Sequence, residues 1–63
     1  MFANYLTMDE AMLLSLVNMQ LRNRFDSLAA LANFYELDAQ TLEQRLTAGG
    51  YHYHAASNQY RGG

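Results

Sequence analysis

Two histidines with one residue between them, His52 and His54, come nearest to a metal site in this chain. Alternate side chains of a β-strand share one face, so these imidazoles lie side by side if the segment is a strand. Metal sites in proteins need further ligands at fixed spacings. No third ligand has such a spacing, and the sequence contains no cysteine. We therefore expect two solvent-exposed histidines and no bound metal.

No serine is placed as a catalytic nucleophile. Ser15 falls inside a predicted helix, while Ser27 and Ser57 have the surroundings of a helix cap and a turn. The pair Gly49-Gly50 follows a predicted helix and is typical of a helix end rather than a phosphate-binding loop. The sequence therefore predicts a protein without catalytic residues and without a cofactor.

The charge balance weighs against nucleic-acid binding. Six acidic residues outnumber four arginines, there is no lysine, and the formal net charge is −2 at pH 7. Binding to a phosphate backbone usually needs a basic stripe. No apolar run approaches the roughly 18 residues that cross a membrane, and the first residues lack the basic flank of a signal peptide. We expect a cytoplasmic protein that does not bind membranes.

The chain of 63 residues is predicted to form a single domain over residues 1–63. A domain of this size has little core with which to offset the conformational entropy lost on folding, and no disulfide can assist it. Association with a second copy would bury more apolar surface. This reasoning favours a homodimer.

The first predicted helix covers residues 7–24. Thr7 and Glu10 form a capping box, in which each would satisfy a free backbone group of the helix end. This helix has two apolar sides where a surface helix needs one. One side carries Met8, Ala11, Met12, Leu16 and Met19, and the other carries Leu13, Leu14, Val17 and Leu21. The second apolar side predicts one of two arrangements. Either the helix is central and surrounded by the rest of its own domain, or it forms an interface through Met12, Leu13, Leu16, Asn18 and Met19.

Asn18 lies in the middle of this helix among apolar neighbours, where asparagine is a poor helix former. Two interpretations remain open. Asn18 could fix the register of a helix–helix interface, as polar residues do in coiled coils. Alternatively, it could hydrogen-bond to a hairpin or turn of its own chain.

Residues 31–46 have the spacing of a helix-turn-helix. Helix two is predicted over 27–36 with Ser27 as its N-cap, and helix three over 39–48 with Asp38 as its N-cap. The residues that would pack the two helices together are Leu31, Ala32, Leu37, Leu42 and Leu46. Glu36 departs from the motif, because the turn position often holds glycine and glutamate tolerates a left-handed conformation poorly.

A β-hairpin is predicted over residues 50–61. Tyr51-His52-Tyr53-His54 alternates in polarity, and residues 55–58 read as a four-residue loop that would set Tyr53 opposite Tyr60. The three tyrosines of this segment would face the helices, while His52, His54, Gln59 and Arg61 would face water. The predicted fold is therefore mainly α (α+β): a three-helix, helix-turn-helix-like core with a C-terminal β-hairpin in a winged-helix-like arrangement.

Such an arrangement would offer helix three and the hairpin to nucleic acid, through Gln40, Gln44, Arg45 and Arg61. Glutamine can pair with adenine in the major groove. Glu43 lies on the same helix face and would repel phosphate, with no basic residue on that face to offset it.

The chain resembles a family of very short bacterial proteins classified as a domain of unknown function. The resemblance covers about residues 9–60. It rests on residues 12–18, Leu21-Arg22, Phe25, Ser27-Leu28, Leu42, Leu46, Gly50-Tyr51-His52-Tyr53 and Asn58-Gln59-Tyr60. The chain departs from the family where a proline would stand early in helix one and where the closing aromatic residue would be phenylalanine. The family implies no activity, cofactor or site residue.

Two functions follow as hypotheses. The first is a non-enzymatic protein-interaction module, a homodimer or the binder of an unidentified protein partner, because helix one has an apolar surplus. The alternative is a nucleic-acid-binding regulator that uses helix three and the hairpin.

Overall fold

Three helices followed by two antiparallel strands make up residues 2–62, the part of the chain that the computed structural model describes. The elements are α1 (Glu10–Asn23), α2 (Leu28–Tyr35), α3 (Ala39–Ala48), β1 (Tyr51–His54) and β2 (Gln59–Gly62). This order confirms the predicted fold class, an α+β fold with a winged-helix-like layout. Met1 and Gly63, the two ends of the predicted domain, lie outside the described residues.

Helix α1 begins later than the sequence predicted. Asp9 caps it, and its carboxylate accepts hydrogen bonds from the backbone N–H groups of Ala11 and Met12 at 3.0 and 3.4 Å. Thr7 is instead part of a turn, because its N–H donates to the carbonyl of Asn4 at 2.9 Å. The predicted capping box of Thr7 and Glu10 is therefore wrong. An aspartate directly before the helix satisfies the free N–H groups, and its charge suits the positive end of the helix dipole.

The caps of α2 and α3 are the predicted ones. The Ser27 hydroxyl accepts from the N–H of Ala30 at 3.1 Å, and the Asp38 carboxylate accepts from the N–H of Gln40 at 3.1 Å. Glu36, at the end of α2, adopts the left-handed conformation with φ 59°. The N–H of Leu37 then reaches the carbonyl of Ala32 at 2.7 Å, which is the main hydrogen bond of a Schellman motif. The turn therefore keeps its left-handed residue although that residue is not glycine.

The core lies where one side of α1 meets α2, α3 and the hairpin. Its buried hydrophobic residues are Phe2, Leu13, Val17, Leu21, Leu28, Leu31, Ala32, Leu42, Leu46 and Tyr60. Four of the five residues predicted to pack helices two and three belong to this core, and the fifth, Leu37, packs against it partly buried. The helix-turn-helix spacing thus predicted the packing correctly.

The hairpin has the predicted register. Tyr53 pairs with Tyr60 across a four-residue loop, and their ring centroids are 5.2 Å apart. Tyr60 is buried, but Tyr53 remains 39% exposed. Gln59, predicted to face water, is half-buried because its side-chain amide donates to the carbonyl of Asn18 at 3.0 Å. The hairpin therefore lies against α1 through polar contacts as well as through Tyr60.

Candidate interaction surfaces

The outward side of α1 is an uncharged, largely apolar stripe. Met12 is 58% exposed, Ala11 and Ser15 are exposed, and Leu16 and Met19 are half-buried. No charged residue interrupts these five positions, which we call the α1 stripe. The two apolar sides predicted for this helix thus have different environments, because the opposite side forms the core.

Leu13 does not belong to the exposed surface of α1. It is 0% exposed and lies among the core residues on the opposite side of the helix from Met12. Its inclusion in the predicted interface is therefore wrong. The reason is the helical period: one residue advances by 100°, which moves Leu13 from the outward side to the inward one.

Asn18 is a hydrogen-bonding partner of β2. Its side-chain nitrogen donates to the carbonyl oxygen of Tyr60 at 2.9 Å, and its side-chain oxygen accepts from the N–H of Tyr60 at 2.8 Å. These two bonds reproduce those that a neighbouring strand would make with Tyr60. The structure therefore contains the hydrogen bond to the hairpin that the second interpretation of Asn18 predicted.

A second asparagine, Asn58, also joins the hairpin to α1 and to the residues that follow it. It adopts a left-handed φ of 53°, and its side-chain nitrogen donates to the carbonyls of Leu21 and Phe25 at 3.1 and 2.9 Å. Its side-chain oxygen accepts from the Tyr53 hydroxyl at 2.7 Å. The sequence pattern places Asn58 only in a turn. Its contact with α1 could not be read from the sequence, because the carbonyls of Leu21 and Phe25 lie more than 30 residues away.

Arg45, predicted for a nucleic-acid surface, is committed to the N-terminal segment. One of its guanidinium nitrogens donates to the carbonyls of Tyr5 and Met8 at 3.3 and 2.7 Å. The other donates to the carbonyl of Met8 at 2.7 Å and forms an ion pair with Glu10 at 3.3 Å. Its side chain is only 18% exposed. The guanidinium therefore holds the segment before α1 against α3.

The other predicted nucleic-acid residues are exposed. Gln40 and Gln44 lie on the solvent side of α3, and Arg61 lies on β2. Because Arg61 pairs with His52, it occupies the hairpin face opposite to that of Tyr53 and Tyr60. The structure therefore does not place Arg61 on the tyrosine face, beside which Gln40 lies.

An open groove of about 430 Å³ separates the start of α2, the start of α3 and the hairpin. It is lined by Ser27, Leu28, Ala29, Ala39, Gln40, Glu43, Tyr53 and Tyr60. We call it the α2–α3–hairpin groove. On its wall the Tyr60 hydroxyl donates to Oε1 of Glu43 at 3.4 Å. Burial, and then the charge and the hydrogen bond of Glu43, raise the pKa of Tyr60 to about 12. The hydroxyl therefore remains protonated at neutral pH.

An exposed aromatic cluster that the sequence patterns did not predict lies at the ends of α1 and α2. Phe34 is 57% exposed, and its ring centroid lies 5.4 Å from that of Phe25 and 5.0 Å from that of Tyr35. The guanidinium of Arg24 lies over the Phe34 ring at 5.0 Å. The signal was available, because Phe25 precedes the short helix α2 and Phe34 lies in its last turn, but the contact depends on the angle between α1 and α2.

His52 and His54 are both exposed on β1. Within residues 2–62 no group of three or more His, Asp or Glu side chains is arranged to hold a metal ion. In the same part of the chain no helix combines the length and the apolar character needed to cross a membrane.

The fold and these surfaces define a small α+β domain of three helices and a hairpin. Residues 7–60 match the model of the family described as Domain of unknown function (DUF4250), and the chain belongs to that family. No curated protein matches the chain. No solved structure matches it either.

Proposed function

We propose that this domain is a non-enzymatic protein-interaction module and that the α1 stripe is its contact surface, with a second copy of the chain as the partner. The observation that carries the proposal is the exposure of Met12 in a stripe without any charged residue. Burying such a stripe removes apolar area from water without desolvating a charge. The cytoplasmic location of the protein remains a prediction.

A second copy suits the stripe for a geometric reason. The stripe lies on a helix of 14 residues, roughly 20 Å long, and two copies can pack along such helices with ordinary ridge-into-groove contacts. Methionine side chains adapt to an imperfect opposing surface. In a symmetric dimer the same stripe contributes twice, so that a modest patch per copy gives a self-complementary interface.

Sedimentation velocity at micromolar to millimolar concentration tests this proposal. We expect a dimer for the wild-type chain and a monomer for Met12→Glu, because a buried unpaired carboxylate opposes association. The matched control is Ala30→Glu, which places the same charge on an exposed position of α2. A wild-type chain that remains monomeric at millimolar concentration would refute the dimer.

The alternative function is a nucleic-acid-binding regulator, and the layout of three helices followed by a hairpin favours it. The engagement of Arg45 with the N-terminal segment and the position of Glu43 on the α3 surface weigh against it. It predicts that a fluorescent DNA duplex binds at low salt, that binding weakens as salt rises, and that Arg61→Ala weakens it further. Absence of binding at low salt would remove this alternative.

A further inference from the structure

The α2–α3–hairpin groove has apolar walls and one charged lining residue. Leu28, Ala29 and Ala39 supply aliphatic surface, and the exposed ring of Tyr53 forms part of the opposite wall. The hydroxyl of Tyr53 is turned to Asn58 at 2.7 Å, so the ring presents its carbon surface rather than its polar end. A groove of this kind fits a long aliphatic side chain.

The charge in the groove is a carboxylate with a free oxygen. Oε1 of Glu43 accepts a hydrogen bond from the Tyr60 hydroxyl, and none of the described residues donates a hydrogen bond to Oε2. No arginine lines the groove. Asp26 and Asp38 directly precede the lining residues Ser27 and Ala39 in the chain, and Arg61, which follows Tyr60, lies on the opposite face of the hairpin. Charge complementarity therefore favours a cation at the Glu43 end.

The edge of β1 offers backbone hydrogen-bonding groups to a chain segment that places a side chain in the groove. The N–H and C=O of Tyr60 bond to Asn18, so Tyr53 and Tyr60 form the pair that does not exchange backbone hydrogen bonds. In such a pair the N–H and C=O of Tyr53 point away from β2. Within the described residues no side chain hydrogen-bonds to the N–H or C=O of Tyr53. On the outer edge of β2, by contrast, Asn18 already binds the N–H and C=O of Tyr60. An extended segment can therefore pair with β1 only.

We propose that the groove binds a lysine or arginine side chain from an extended segment of a partner protein, which pairs with the edge of β1. The aliphatic stem lies along Leu28, Ala29 and the ring of Tyr53, and the cation reaches Oε2 of Glu43. Lysine and arginine combine these features, an apolar stem and a charged end. The inference does not rest on the proposed dimer, because the groove and the α1 stripe lie on different elements.

An NMR titration of the whole chain with blocked pentapeptides tests the proposal. The probe is acetyl-Thr-Val-Lys-Val-Thr-amide, and its comparators carry norleucine or glutamate in place of the lysine. We expect the lysine peptide to shift the amide resonances of Gln40, Glu43 and Tyr53, and to bind about tenfold more tightly than the norleucine peptide. Glu43→Gln should abolish that difference.

The matched control is Glu36→Gln, which removes the same charge at the other end of α2 and should leave the tenfold preference unchanged. Equal affinity for the lysine and norleucine peptides, or no shift with either, would overturn the proposal. So would shifts at these residues with the glutamate peptide or a DNA duplex alone. Shifts there on raising the protein concentration without peptide would assign the groove to a second copy and also overturn it. Self-association through the α1 stripe is read separately, from the methyl resonance of Met12.

Discussion

At the scale of single residues, Asn18 takes the place of a neighbouring strand. A two-stranded hairpin is marginal by itself and needs contact with the rest of the protein to persist. The side-chain amide of Asn18 provides that contact by satisfying both backbone groups of Tyr60. A residue that is unfavourable in a helix is thus explained by a contact 42 positions away along the chain.

We therefore expect Asn18→Leu to destabilise the fold. The substitution leaves the N–H and C=O of Tyr60 without partners, which should lower the free energy of unfolding by roughly 2–3 kcal/mol. Urea denaturation measures this, and hydrogen exchange should show the amides of β2 losing protection first. The control is Asn33→Leu on the exposed surface of α2. Equal stability of the two variants would contradict the assigned role of Asn18.

Tyr60 gives the molecule a predictable response to high pH. Its pKa is raised from 10.0 to about 12, mainly by burial and then by Glu43. Because the folded pKa lies above the unfolded one, the stabilising contribution is fully present below pH 10 and is lost as the pH rises towards 12. We expect the free energy of unfolding to fall by about 2–3 kcal/mol more across this window in the wild type than in Tyr60→Phe. Parallel curves for the two proteins would show that burial of the hydroxyl has no such effect.

At the scale of elements, α2 ends on a residue that is costly there. Glu36 holds φ 59°, a conformation that glycine adopts without a steric penalty. Glu36→Gly should therefore raise the free energy of unfolding by about 0.5–1 kcal/mol, measured by urea denaturation. Glu36→Gln keeps the β-carbon and should show no gain. A loss of stability in the glycine variant would mean that the glutamate side chain makes a stabilising contribution beyond its backbone conformation.

The N-terminal segment depends on the shape of one guanidinium. Two nitrogens of Arg45 bond to carbonyls of the segment and to Glu10, and lysine offers only a single ammonium group. We expect Arg45→Lys to lower the free energy of unfolding by about 1–2 kcal/mol and to increase hydrogen exchange at the N–H of Met8. Arg61→Lys, on the exposed hairpin face, is the matched control. An unchanged exchange rate at Met8 would contradict this account.

Sequence patterns predicted these elements with uneven success. The positions of α2, α3 and the hairpin followed from Ser27, Asp38 and the Gly49-Gly50 pair, because caps and glycines act locally. The start of α1 was misplaced, because Thr7 and Asp9 are both good caps. Only the turn that bonds Thr7 to Asn4 decides between them.

At the scale of the whole molecule, the proposed dimer links stability to concentration. A dimer that dissociates on unfolding melts at a higher temperature as the protein concentration rises. We expect the midpoint of thermal unfolding to rise with concentration for the wild type and to be independent of concentration for Met12→Glu. A concentration-independent midpoint for the wild type would argue against association through α1. Ala30→Glu should behave like the wild type.

The sequence by itself determined the order of the elements and most of the core. Helical spacing separates Leu13, Val17 and Leu21 from the outward residues of α1, and alternation with a four-residue loop sets Tyr53 opposite Tyr60. These features are local because they depend on the repeat of a helix or a strand. The sequence also placed the chain near the family to which it belongs.

Only the tertiary structure decided what the polar residues do. Arg45 looked available to a ligand and is bound to Tyr5 and Met8. Asn18 looked unsuited to its helix and Asn58 looked like a turn residue, and both join α1 to the hairpin. The groove that ends at Glu43 likewise exists only after three elements meet. The physical reason is that a hydrogen bond depends on distance and direction between two atoms, and a sequence pattern does not give the position of a partner tens of residues away.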